Sequence, residues 1–180
     1  MAAFDVRVFL FLHHAFGSWL GAAAVLSAVG GGWGALGLVP LWATPRFRGV
    51  ARALSYVLVT NALFVFGLKR MVARARPCNC LPDVHALVFG TPTDFSFPSG
   101  HAAGSFAFCV FFAVLLWKAD RFGRQARGLG AFALVLLALG VALSRIALGV
   151  HFPGDVLAGS IIGATIGGVG AQLHLRRTTP

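Results

Sequence analysis

Six stretches of this chain are dominated by apolar side chains: residues 8–29, 30–43, 50–68, 102–117, 129–143 and 156–175. A helix needs about 20 such residues to cross a hydrocarbon core about 30 Å thick. The sequence therefore predicts an all-α, polytopic membrane bundle of about six transmembrane helices, forming a single domain over residues 1–180. The run 30–43 is short, rich in glycine and interrupted by Pro40, so it either crosses or dips into the membrane and returns. Trp19, Trp33 and Trp42 read as interfacial anchors. The chain opens without the lysine-rich start and small-residue cleavage site of a signal peptide, so its first apolar run, 8–29, is expected to persist as a membrane anchor.

Composition excludes several classes. Hydrophobic residues make up 58% of the chain and charged residues 11%, with a mean hydropathy of +0.83, far from a soluble globular domain. The net charge of +10 does not indicate nucleic acid, because the cations fall in short clusters between apolar runs rather than along one basic face. Cys78 and Cys80 stand one residue apart, too close for an easy bridge, and no disulfide framework follows. Cys78, Cys80 and His85 have tighter spacing than zinc ligands favour and lack a fourth ligand, which leaves an irregular loop. Cys109 reads as a small hydrophobe in an apolar helix, and His13 and His14 as neutral histidines facing other helices or the interface.

Polar islands interrupt this apolar sequence at residues 69–77, 98–101 and 144–155, and ionisable groups beside membrane spans usually signal function. In the first, helical phase brings Lys69 and Arg76 to nearly the same face, and Pro77 turns the chain out into a loop over 78–97. In the second, Ser99 is a candidate N-cap, so the amides of Gly100 and His101 become free donors at a helix start, an arrangement suited to anions. The third holds Arg145, His151 and Asp155. Lys69, Arg76 and Arg145 with Ser99 form a cradle for a tetrahedral anion. His151, with Asp155 four residues on to fix its tautomer, suits attack on phosphorus, and His101 suits protonation of the leaving oxygen. No cluster of carboxylates is available to hold magnesium, so the chemistry is expected to need neither metal nor cofactor. Glycines 159, 163, 167 and 170 give the last helix a face for close packing.

The patterns Lys69-x6-Arg76-Pro77, Pro98-Ser99-Gly100-His101 and Ser144-Arg145-x5-His151-x3-Asp155 resemble the three signature motifs of the type 2 phosphatidic acid phosphatase superfamily, in order, over residues 50–175. The resemblance implies a helical bundle and metal-independent hydrolysis through a phosphohistidine. It assigns His151 as nucleophile, Asp155 as its partner, His101 as general acid, and Lys69, Arg76, Ser99, Gly100 and Arg145 as phosphate ligands. The apolar spans favour the lipid branch over the family's soluble acid phosphatases and vanadium haloperoxidases. The expected partners are the membrane and a lipid phosphate or diphosphate. Undecaprenyl diphosphate is the leading substrate by analogy, with phosphatidic acid, phosphatidylglycerol phosphate and lipid A phosphate left open. A phosphotransferase sharing the first half-reaction and an anion-binding or transport protein are the alternatives. The excess of arginine and lysine in the other loops places both termini in the cytoplasm and the islands on the outer face of the cytoplasmic membrane.

Overall fold

The computed structural model describes residues 3–31, 36–88 and 90–178, so Trp33 and part of the run 30–43 lie outside the described residues. Among the described residues all regular structure is helical: α1 Ala3–Phe16, α2 Leu20–Gly30, α3 Leu38–Ala43, α4 Arg48–Val72, α5 Pro77–Cys80, α6 Gly100–Trp117, α7 Arg124–Ala147 and α8 Pro153–Thr178. Four helices are long and apolar enough to cross a membrane, centred on α4, α6, α7 and α8, and the bent pair α1 and α2 adds at most a fifth. Large side chains such as Leu63, Phe66, Phe132, Leu136 and Ile161 point outward, as lipid-facing surfaces require.

The tightest packing joins α6 to α8. Gly159, Gly163 and Gly167 on α8 lie against Ser99, Ala103 and Ala107 on α6, one small residue per turn on each helix. A Cβ at Gly159 would stand 2.5 Å from the Ser99 carbonyl oxygen, and one at Gly163 or Gly167 would collide with the carbonyl of Ala103 or Ala107. Gly170 makes room for Val57 on α4 in the same way, so the expected glycine face is used along its whole length. Because lipid tails are as apolar as leucine, such backbone proximity, with its dispersion contacts, is what holds membrane helices together.

The first apolar run does not form one straight crossing. α1 and α2 meet at 113°. α1 lies across the end of the bundle where α7 finishes and α8 begins: Asp5 Oδ1 accepts from the Gly154 amide at 2.9 Å, Phe9 meets Phe152 edge-on, and His13 Nδ1 pairs with the Ala147 carbonyl at 2.9 Å. A straight helix would carry Asp5 and the two histidines away from these partners. α2 then follows α7 inward, with Ala23 packed near Ala147, Ser27 bonded to Arg145, and Gly30 against Val141. α3 has only six residues and cannot cross by itself; it packs beside α4, where Trp42 donates to Ser55. Asp5 thus sits at the island end, not at the opposite end where the charge pattern puts the amino terminus. The other end is marked by Gly49, whose Cβ would stand 3.7 Å from His174 on α8.

The α6–α8 contact makes a direct prediction. Gly163→Val should lower the thermal unfolding midpoint in detergent, at a cost of about 1–3 kcal/mol for overpacking. Gly67→Ala, at a position with nothing within 4 Å, should leave the midpoint unchanged or raise it slightly.

Candidate active site

The site forms where α4, α6, α7 and α8 bring the polar islands to one end. Lys69 occupies the last turn of α4, and Ala73 ends that helix in the left-handed region at φ 49°. Arg76 is therefore extended rather than helical, and the helical phase expected to align it with Lys69 does not operate. The turn brings the two cations together instead. Lys69 Nζ pairs with Asp94 Oδ2 at 3.0 Å and Arg76 Nη2 with Asp94 Oδ1 at 2.6 Å, and Lys69 also donates to the Phe95 carbonyl.

Arg76, only 4% exposed, also donates through Nε to the Asp94 carbonyl at 2.9 Å and through Nη1 to the Val150 carbonyl at 2.9 Å. The same Nη1 lies 2.9 Å from His151 Nε2. A guanidinium only donates, so Nε2 is the accepting, unprotonated nitrogen and Nδ1 carries the proton. Nδ1 faces Ser96 Oγ at 3.4 Å, and Ser96 in turn donates to Asp155 Oδ2 at 2.5 Å. The expected direct bond between His151 and Asp155 is not made: their closest approach is 3.7 Å, beyond hydrogen-bond range. The buried Ser96 hydroxyl bridges them instead.

Asp155 is fully buried and well supplied with donors. Its Oδ2 accepts from the Phe152 amide at 2.9 Å, and its Oδ1 pairs with Arg74 Nη1 at 2.7 Å. Arg74 continues to Asp5 Oδ2 at 2.6 Å, with its guanidinium 4.1 Å from the centre of the Phe152 ring. The carboxylate of α1, the cation of the first island and the acid of the third thus form one chain.

Electrostatics follow this geometry. Burial pushes the His151 imidazole down to about 3; the nearby Asp155 works against this, while the charges of Arg76 and Arg145 add to it. His151 is consequently neutral at physiological pH, the state that the expected role in attack requires. Burial alone would raise Asp94, yet the Lys69 hydrogen bond and the Arg76 charge hold its carboxyl below the usual range.

Arg145 is buried, donates to Ser27 Oγ, and accepts the amides of Val150 and His151 at its carbonyl at 3.2 and 3.3 Å. Its Nε has no partner among the described residues and remains available to an anion. Ser99 caps α6 by accepting from the Ala102 amide at 3.4 Å, and its own amide donates to the Asp155 carbonyl at 3.0 Å. The His101 side chain makes no hydrogen bond among the described residues; its Nε2 faces Gly31, where a Cβ would stand 3.4 Å away. Lys69 and Gly100 line one end of a cavity of about 710 Å³ whose walls include Leu58, Val65, Phe108 and Val141.

Contacts thus join Lys69, Arg76, His151, Asp155 and Ser99 into one network, with Asp94 linking the first two and Ser96 linking His151 to Asp155, and Arg145 beside them, while His101 and Gly100 belong to the adjoining helix start. Arg74, Ser96, Asp5 and Ser27 were not among the expected residues, and Asp94, expected in the 78–97 loop as a contact for the lipid headgroup, pairs with Lys69 and Arg76 instead. Two of these carried a signal: Arg74 lies within the first island, and Asp5 is one of only five acids in a chain of fifteen cations. The expected excess of cations is smaller than it looked, because Asp5, Asp94 and Asp155 pair with Lys69, Arg74 and Arg76.

A family model described as the PAP2 superfamily matches residues 50–179. The chain belongs to the PAP2 superfamily. A decaprenylphosphoryl-5-phosphoribose phosphatase of Mycobacterium tuberculosis is 38% identical over 141 residues, covering 77% of this chain and 69% of that protein. A lipid A 4'-phosphatase of Bacteroides thetaiotaomicron is 35% identical over 122 residues, covering 62% of this chain and 50% of its own length. The crystal structure of Aquifex aeolicus LpxE superposes with a TM-score of 0.73 at 25% identity, covering 94% of this chain and 96% of that one. This PAP2 protein is accordingly a multi-pass membrane phosphatase acting on lipid phosphates.

Two substitutions probe the new contacts. Arg74→Ala leaves Asp155 and Asp5 as unpaired carboxylates, so it should destabilise the protein in detergent by about 3–5 kcal/mol and depress turnover. Asp94→Asn removes a competing charge from Lys69 and Arg76. Since partly exposed pairs contribute only about 0.2–1 kcal/mol, the PAP2 enzyme should show a KM lowered roughly two- to fivefold, read from initial rates.

Proposed function

We propose that this PAP2 enzyme removes the terminal phosphate of a polyprenyl-linked membrane lipid through a phosphohistidine formed on His151. The observation that carries this reading is the unprotonated His151 Nε2 held 2.9 Å from Arg76 Nη1, so that a phosphate taken up by Arg76 arrives beside the nucleophile. In the first step the incoming phosphate displaces Asp94 from Lys69 and Arg76 and draws Arg76 Nη1 off His151 Nε2, which frees the lone pair of that nitrogen. Nε2 then attacks phosphorus as the bond to the lipid oxygen breaks, and His101 donates the proton that the leaving oxygen takes up. Positive charge developing on the His151 ring is balanced through Ser96 by Asp155. Arg145, Ser99 and the amides of Gly100 and His101 supply further donors to the equatorial oxygens. Water, deprotonated by His101, then attacks the phosphohistidine and releases inorganic phosphate and neutral His151.

The apolar cavity beginning at Lys69 and Gly100 suits the lipid tail. A polyprenyl tail is favoured because the M. tuberculosis relative is named for a decaprenyl lipid, and undecaprenyl diphosphate remains a substrate to test. The site is proposed to face outward from the cytoplasmic membrane. With α1 assigned to the site end, the far end still holds Arg46, Arg48, Arg52, Lys118, Arg121, Arg124, Arg127, Arg176 and Arg177, as a cytoplasmic surface requires.

The test is to trap the intermediate. Brief incubation with a lipid phosphate labelled in its terminal group should leave label on the protein that survives alkali and is lost in acid. His151→Ala should abolish both label and turnover, and His101→Ala should slow alkyl phosphates more than activated aryl phosphates. Free phosphate should appear without a lipid acceptor and in the presence of a chelator. Unlabelled protein during normal turnover would overturn the covalent route, and label released only to another lipid would make the protein a phosphotransferase.

A further inference from the structure

The cavity behind the phosphate ligands is not wholly apolar. Asn61 on α4 and Ser105 on α6 both line it, and they are only 5% and 8% exposed. Asn61 Oδ1 and Ser105 Oγ have no hydrogen-bond partner among the described residues. Hydroxyls in membrane helices usually return to the carbonyl of the preceding turn. Two in this chain do so: Ser144 donates to Val141 at 2.7 Å and Thr165 to Ile161 at 2.8 Å. Ser105 does not. Gly30 packs so closely beside it that a Cβ there would stand 2.9 Å from Ser105 Oγ, so no side chain from α2 supplies the hydroxyl with a partner.

The depth of the two groups indicates what they could meet. Asn61 precedes Lys69 by eight residues, about 12 Å along α4, and Ser105 follows Gly100 by five, about 7 Å along α6. A lipid whose phosphate sits at Lys69 would bring to these depths the atoms joining phosphate to tail. An isoprenoid diphosphate offers mainly hydrocarbon there and leaves both groups without partners. A sugar or glycerol carrier offers hydroxyls, which can donate to Asn61 Oδ1, and ring or ester oxygens, which can accept from Ser105 Oγ. Lys69 is the only charged residue lining the cavity among the described residues, so Asn61 and Ser105 are suited to the uncharged oxygens of the carrier rather than to a second phosphate.

We propose that Asn61 and Ser105 are specificity-determining residues that hydrogen-bond neutral oxygen functions between phosphate and tail, favouring a phosphate monoester on a sugar or glycerol carrier over a diphosphate joined directly to an isoprenoid. The proposal rests on the phosphatase reading above, with the phosphate at Lys69 and Arg76 and the tail in the cavity. It deepens that reading by naming the carrier.

The test compares kcat/KM of purified protein in detergent for a polyprenylphosphoryl-ribose 5-phosphate, a diacylglycerol phosphate, undecaprenyl diphosphate and the tail-less p-nitrophenyl phosphate. An oxygen-bearing carrier should be preferred over undecaprenyl diphosphate. Asn61→Leu and Ser105→Ala should each lower kcat/KM for the preferred carrier by about tenfold or more, because a site built around a substrate's hydrogen bonds discriminates strongly. Both variants should leave p-nitrophenyl phosphate unchanged and undecaprenyl diphosphate unchanged or improved. Loss confined to the ribose lipid identifies a sugar carrier, and loss confined to the diacylglycerol lipid a glycerol carrier. Equal losses on all four substrates would reduce the pair to a packing role and overturn the proposal, as would preference for undecaprenyl diphosphate that neither variant alters. If wild-type protein hydrolysed none of the four, the phosphatase reading itself would fail, an outcome distinct from unaltered selectivity in an active enzyme.

Discussion

The guanidinium of Arg76 is the junction on which the site depends. It spends its donors on the backbone and carboxylate of Asp94, on the carbonyl of Val150 and on the ring of His151, so one side chain ties the loop before α6 to the turn between α7 and α8. A buried cation of this kind is tolerable only when its donors are engaged. The demand for partners draws the surrounding segments together and in doing so sets the orientation of the imidazole. Arg74, two residues earlier, does the same for Asp155 and Asp5.

The helices supply the rigidity that these polar contacts need. α6 and α8 touch backbone to backbone through Gly159, Gly163 and Gly167, and the uppermost of these contacts is the carbonyl of Ser99, the residue that caps α6. Ser99 also donates its amide to the carbonyl of Asp155. Helix packing and site geometry therefore share atoms, and a shift of α8 away from α6 would move the phosphate ligands as well as the core.

Much of this was legible in the sequence because it rests on local rules. Spans such as α4 and α8 follow from the length of their apolar runs, the cap at Ser99 from its place before Gly100, and the glycine face of α8 from its spacing. What could not be read required knowledge of where the chain turns. The alignment of Lys69 with Arg76 was inferred from an unbroken helix, yet Ala73 enters the left-handed region and the pair is joined by a bend. The bond expected between His151 and Asp155 ignored Ser96, which has no distinguishing sequence context and reaches the site because its amide binds the Arg74 carbonyl at 2.7 Å. The bend between α1 and α2 is likewise invisible in composition, since both helices are apolar. Asp5 and His13 find partners only after tertiary structure brings α7 and α8 beside them.

The carboxylate of Asp94 has a consequence for which anions can use this pocket. Anchored on a short loop beside Lys69 and Arg76, it behaves as a rival ligand at high effective concentration. A small ion in solution must defeat that rival with charge alone, whereas a molecule that also buries a hydrocarbon chain brings a second source of binding free energy to the contest. Under the proposed function the enzyme would screen its visitors by their tails before any chemistry begins, and the freed inorganic ion, having lost its tail, would be readily evicted.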